Sequence, residues 1–157
     1  MAPVTGAWLS LWAAPAALGF ALAFNVRRRA LLPIALLAIL AHLVRSVLQD
    51  AGWGLVQSSF AAAILTGTVA YVLAPATGEA SPVFAFAPVI PLVPGSLLFG
   101  GLEAFADLVA GRGGDAAAPS LFTAASRDVL TAGAVVIALA LGSTAPGLLR
   151  PGARRGT

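Results

Sequence analysis

Two ionisable side chains stand in a run that is otherwise apolar. His42 and Arg45 fall inside the stretch from Ala30 to Leu48, and residues at i and i+3 share one face of a helix. Together they present a titratable imidazole beside a permanent cation, a pair suited to holding an anion and handling a proton. Charge at the centre of a spanning helix costs about 2.5–3.5 kcal/mol on insertion scales, so such residues face a cavity, a partner helix or a substrate path. A blander reading stays open beside this one. Arg45 lies near the end of the run, where its long side chain can snorkel to the headgroups, and His42 can be satisfied by a backbone carbonyl.

A second feature is the proline series in the uncharged stretch from Ala80 to Leu102: Pro82, Pro88, Pro91 and Pro94, followed by Gly95 and Ser96. Interior proline removes a backbone hydrogen bond and clashes with the preceding turn, which predicts two half-helices meeting near Pro91 to Gly95. Ser96, Leu97 and Leu98 would open the second half, with first-turn amides that favour a carboxylate. Carbonyls before Pro91 and Pro94 would lack their usual donors and suit a cation or an ammonium group. The alternative is a kinked helix packed in a bundle.

Other candidates are weaker. Glu103 and Asp107, at i and i+4, suit proton binding if their shared face is enclosed, and otherwise are solvated near the interface. Arg127 and Asp128 point about 100° apart on a helix and read as interface markers. Trp8, Trp12, Trp53 and Tyr71 suit aromatic belts. His42 is the only histidine and no serine stands in a nucleophile-elbow context around it, so hydrolytic catalysis is unsupported. With no cysteine, disulfides and thiolate metal sites are excluded; neither a metal nor a cofactor is expected.

The elements that must position these residues are membrane spans. The 157 residues are 59% apolar and 10% charged, against about 45–50% and about 25% in soluble domains, and the mean hydropathy is +0.95. The isoelectric point near 11.1 does not indicate nucleic-acid binding, because the arginines cluster beside apolar runs, where membrane topology places them. The expected fold is all-α: one polytopic transmembrane domain over residues 1–157, with five transmembrane helices at about 3–26, 30–48, 53–75, 80–102 and 128–149, the fourth broken by prolines. The first run is followed, not preceded, by Arg27, Arg28 and Arg29, which argues against a signal peptide. Pro75, Thr77 and Gly78 are expected to close the third span, where Gly67 and Thr68 would let a neighbouring backbone approach. Arg112 to Asp115 reads as a short loop. With the N-terminus outside, the Arg27–Arg29 loop and the tail of Arg150, Arg154 and Arg155 both fall on the cytoplasmic side, as the positive-inside rule asks.

At these residues the sequence resembles the smaller, C-terminal-type half of the threonine/serine exporter family, in the split form whose halves are separate polypeptides. The matching pieces are Gly19-Phe20, Phe24-Asn25-Val26, Ala41-His42-Leu43-Val44-Arg45, Gly67-Thr68, Val89-Ile90-Pro91-Leu92-Val93-Pro94-Gly95 and Pro146-Gly147-Leu148. The resemblance implies an exporter of small amino acids in a bacterial inner membrane. Split members are similar to a two-subunit system associated with succinate export, which implies a larger membrane subunit as partner. It adds Asn25 to the candidate substrate contacts, which are then Asn25, His42, Arg45, Pro91, Pro94, Gly95 and Ser96, with His42 and Glu103 as candidates for proton coupling. An odd number of spans per half fits an inverted-repeat plan. The rival expectation is a non-transporting assembly subunit whose prolines only shape a bundle around another protein's pore.

Overall fold

The computed structural model describes residues 8–77, 81–112 and 114–148. Among them every element is helical. A 3-10 turn, Leu9–Trp12, leads into α1, Ala13–Ala23. Then follow α2, Arg28–Asp50, and α3, Leu55–Thr77. α4, Ser81–Val89, passes into a second 3-10 turn, Ile90–Leu92, and α5, Gly95–Val109, and α6, Gly114–Leu148, complete the chain.

Three of these helices stop by the same device. After α1, Asn25 takes a left-handed backbone with φ 54°, its amide donates to Leu22, and the Val26 amide donates to Ala21 at 2.9 Å. That is a Schellman motif, in which a left-handed residue lets two otherwise orphaned carbonyls find donors. Gly52 with Trp53 ends α2 and Gly111 with Arg112 ends α5 in the same way. Asparagine tolerates the left-handed region better than other residues with a side chain, because its short amide bonds locally.

Several boundaries differ from those the sequence suggests. α3 runs through Pro75 to Thr77, so the helix does not stop at this proline, although Pro75 has no amide to give the Tyr71 carbonyl four residues back; Gly78 lies outside the described residues. α6 begins at Gly114, which puts Asp115 in the helix and shortens the expected loop; Arg127 and Asp128 lie inside this helix, whose 35 residues run about 52 Å and outreach the roughly 30 Å of a hydrocarbon core. The first apolar helix covers Ser10–Ala23, about 21 Å at about 1.5 Å per residue and short of the roughly 30 Å of a hydrocarbon core. Three helices are long and apolar enough to cross a membrane, or four if the pair α4 and α5 is one bent span. Five spans are therefore not shown.

The described residues group into two compact units, one from residues up to Leu92 together with those from Ala138 onward, the other Val93–Ile137. In the first, the interior is built mostly from alanine: Ala13, Ala17, Ala21, Ala30, Ala38, Ala70, Ala74, Ala85 and Ala87 pack with Ile34, Leu37 and Phe84. Large apolar side chains such as Leu22, Leu32, Leu36 and Val72 point outward. Small residues inside and large ones outside invert the soluble pattern and suit helices that meet closely and face lipid.

The expectation at Gly67 holds in this unit. A Cβ there would lie 2.9 Å from the Cα of Ser143, and one at Gly142 would lie 2.9 Å from the carbonyl oxygen of Phe60. α3 and the end of α6 thus touch backbone to backbone. Gly147 makes the same seam against the ring of Tyr71, which places Tyr71 in helix packing as well as near a span end. Thr68 turns outward and returns its hydroxyl to the Ile64 carbonyl at 2.8 Å. In the second unit, Gly101 admits Val129 and the Ala125 carbonyl of α6, and Phe105 and Phe122 meet edge to face with centroids 5.9 Å apart.

Candidate functional site

α2 presents His42 and Arg45 on one face, both partly buried in the first unit. The two find different partners. His42 Nδ1 shares a hydrogen bond of 2.9 Å with the Ser10 hydroxyl, which belongs to the 3-10 turn before α1 and is completely buried. When the hydroxyl donates, Nδ1 is the acceptor and the ring proton sits on Nε2; when Nδ1 carries the proton, Ser10 accepts. Either way the serine fixes the ring plane.

Arg45 reaches the main chain. Its Nη1 donates to the Leu92 carbonyl at 2.6 Å. Leu92 is buried and is the last residue of the second 3-10 turn, so the helix stops there and its carbonyl has no helical donor. The guanidinium supplies that missing donor. It is not spent in doing so: Arg45 Nε is buried and has no hydrogen-bond partner, which leaves a planar cation holding donor capacity inside the unit. Arg45 thus reaches a backbone carbonyl of its own unit, and His42 is held by a hydroxyl and not by a backbone carbonyl.

The break itself comes from the prolines. Pro91 lies in the 3-10 turn, with Pro88 buried just before it. In the second unit, the Gly95 amide donates across Pro94 to the Val93 carbonyl at 2.9 Å, with Pro94 at φ −81°, ψ 70°, an inverse γ-turn. The Leu98 amide takes the Pro94 carbonyl at 3.2 Å. α5 starts with no side-chain cap, so the amides of Ser96 and Leu97 have no acceptor within the helix. Two half-helices interrupted near Pro91 to Gly95 are thus what the backbone shows.

The remaining candidates stand elsewhere. Asn25 is exposed and its residue type is accounted for by the turn that closes α1. Glu103 is exposed on α5, while Asp107 on the same face pairs with Arg112 at 2.8 Å in an exposed ion pair. No cluster of three or more metal-ligating side chains occurs among the described residues. Ser10 and the Leu92 carbonyl are the partners that the sequence did not reveal. Only the presence of a hydroxyl in an apolar run signalled the first, and nothing signalled the second.

Residues 9–149 match the family described as threonine/serine exporter, ThrE. The chain belongs to the threonine/serine exporter family. Membership covers nearly every helix described above and gives the chain a transport role of the exporter type in a membrane; it lends no support to an enzymatic reading. No solved structure matches the chain.

Proposed function

We propose that this threonine/serine exporter family protein is the membrane subunit of a two-component secondary exporter for small carboxylate-bearing metabolites, of threonine/serine type or a dicarboxylate such as succinate. A larger membrane subunit of the same family is its partner. It works in a bacterial inner membrane with the N-terminus outside and the C-terminus cytoplasmic. The exposed arginines at the start of α2 support a cytoplasmic start for that helix, since clustered arginine favours the cytoplasmic side; the outside N-terminus further requires the segment before α2 to cross.

The observation that carries the reading is Arg45, a partly buried side chain whose guanidinium is bonded to the Leu92 carbonyl at 2.6 Å while its buried Nε is unpaired. An unpaired buried donor is costly, and a carboxylate is the acceptor that matches a guanidinium's planar fork. A substrate carboxylate competing for Arg45 would release the Leu92 carbonyl, which can then accept from an ammonium group if the cargo has one. Because Nε is closed off from solvent here, cargo reaches it only when neighbouring elements move, which is what alternating access supplies. Of the two candidates for proton coupling, His42 is favoured over Glu103: it lies one turn from Arg45 and is partly buried, while Glu103 is exposed.

Efflux of preloaded labelled threonine and labelled succinate tests this in cells making the chain alone, the chain with its larger partner, or neither. Export is expected only with both chains, and Arg45→Gln is expected to abolish it while the two chains still co-purify. Export by the chain alone would remove the two-component arrangement. Full export by Arg45→Gln would remove the arginine from the site.

A further inference from the structure

The face that α2 and α3 turn outward carries an apolar groove lined by Leu32, Pro33, Leu36, Leu37, Leu40, Val69 and Leu73. Leu37 forms its floor at 4% exposure, while Leu32 at 69%, Leu36 at 57% and Leu40 at 40% stand as its wall. No charged or polar side chain lines it. An uninterrupted hydrocarbon slot of this kind suits an acyl chain, and the question is whether anything fixes a particular lipid there.

Charge does. Arg28 and Arg29 open α2 and are both exposed. At about 100° per residue, Arg29 projects within about 20° of Leu36 and Leu40, and Arg28 within about 40° of Leu32. Arg29 therefore stands one turn before the groove on the face of Leu36 and Leu40, and Arg28 beside it on the side of Leu32. Leu40 lies about 17 Å along the helix from Arg29, close to half of the roughly 30 Å hydrocarbon thickness. The arginines and the groove together thus span about one leaflet, with positive charge at the headgroup end and none in the groove's lining. The match is with a molecule that has an anionic head and a hydrocarbon tail of leaflet length.

We propose that Arg28 and Arg29 with the Leu32–Leu36–Leu40 groove form a binding site for one anionic phospholipid of the bilayer, phosphate on the arginines and one acyl chain against α2 and α3. The site is separate from the Arg45 region and stands whether or not that region carries cargo. Its role is to brace α2, the helix that holds His42 and Arg45, against α3.

The full-length chain, purified from vesicles of equal phosphatidylglycerol and phosphatidylcholine, is examined by native mass spectrometry for retained lipid. Retention of phosphatidylglycerol over phosphatidylcholine is expected. Each arginine near a membrane surface is worth about fivefold, so Arg28→Gln with Arg29→Gln should lower the preference by up to about twenty-fivefold, and Arg28→Lys with Arg29→Lys should restore most of it. Leu36→Trp, which fills the groove without touching the charge, should reduce the number of lipids retained. Equal retention of the two lipids by the natural chain, or a preference that survives the double glutamine variant, would overturn the site. So would normal lipid retention by Leu36→Trp.

Discussion

Gly67→Ala tests the packing that holds the first unit together. The new Cβ would meet the Cα and carbonyl carbon of Ser143, both at 2.9 Å, against an optimal carbon–carbon separation of about 3.5–4.0 Å. Both neighbours are main-chain atoms, so no side chain can swing aside; the end of α6 must withdraw by about 0.6 Å or more to restore ordinary contact. Overpacking of this kind costs about 1–3 kcal/mol, offset by up to about 1 kcal/mol from replacing a mid-helix glycine. A net loss of about 1–2 kcal/mol is expected. Gly19→Ala in α1 is the control, because nothing lies within 4 Å of its added methyl, and it should be neutral or stabilising by up to about 1 kcal/mol. Reversible unfolding in mixed micelles, followed by circular dichroism with increasing sodium dodecyl sulfate, reads both. If Gly67→Ala proves as stable as the natural chain, or Gly19→Ala loses as much as Gly67→Ala, the backbone-to-backbone seam of α3 and α6 is wrong.

Ser10→Ala leaves His42 Nδ1 without its partner; it should cost about 1 kcal/mol in unfolding and shift the pH dependence of efflux, whereas an unchanged pH profile would make the bond purely structural. Asn25→Gly should keep both stability and export, because glycine accepts the left-handed backbone, while Asn25→Val should cost about 1–2 kcal/mol; loss of export in a stable Asn25→Gly would return the amide to the list of substrate contacts. Asp107→Asn breaks an exposed pair and should change stability by under about 1 kcal/mol. Glu103→Gln should leave the pH dependence of export as it is, and a displaced profile would transfer proton coupling to Glu103.

Much of the helical plan is legible in the sequence. α2 and α3 fall within two residues of the runs read from hydropathy, because their ends coincide with arginines, Gly52 and the residues that follow. The break near Pro91–Gly95 follows from covalent chemistry, since proline has no amide to give. Gly67 announced a close approach, although not that Ser143 supplies it. The misses have physical causes. Pro75 forfeits one amide bond without ending the helix on the spot, and α3 is described two residues further, to Thr77. Asp115 reads as a loop residue because glycine and charge together suggest a helix end, yet α6 already includes it. The bonds Ser10–His42 and Arg45–Leu92 join residues 32 and 47 positions apart. No local pattern encodes such pairs; they exist only once α1, α2 and the second 3-10 turn have packed.

The most direct measurement of the central claim compares threonine with threoninamide, in which a neutral amide replaces the carboxylate, as cargo for proteoliposomes holding the chain and its larger partner. If Arg45 receives the carboxylate, the natural pair exports threonine in strong preference to threoninamide, and Arg45→Gln exports both at the same low rate. An Arg45→Gln pair that keeps the natural preference for threonine would contradict the account, because the carboxylate would then be recognised elsewhere.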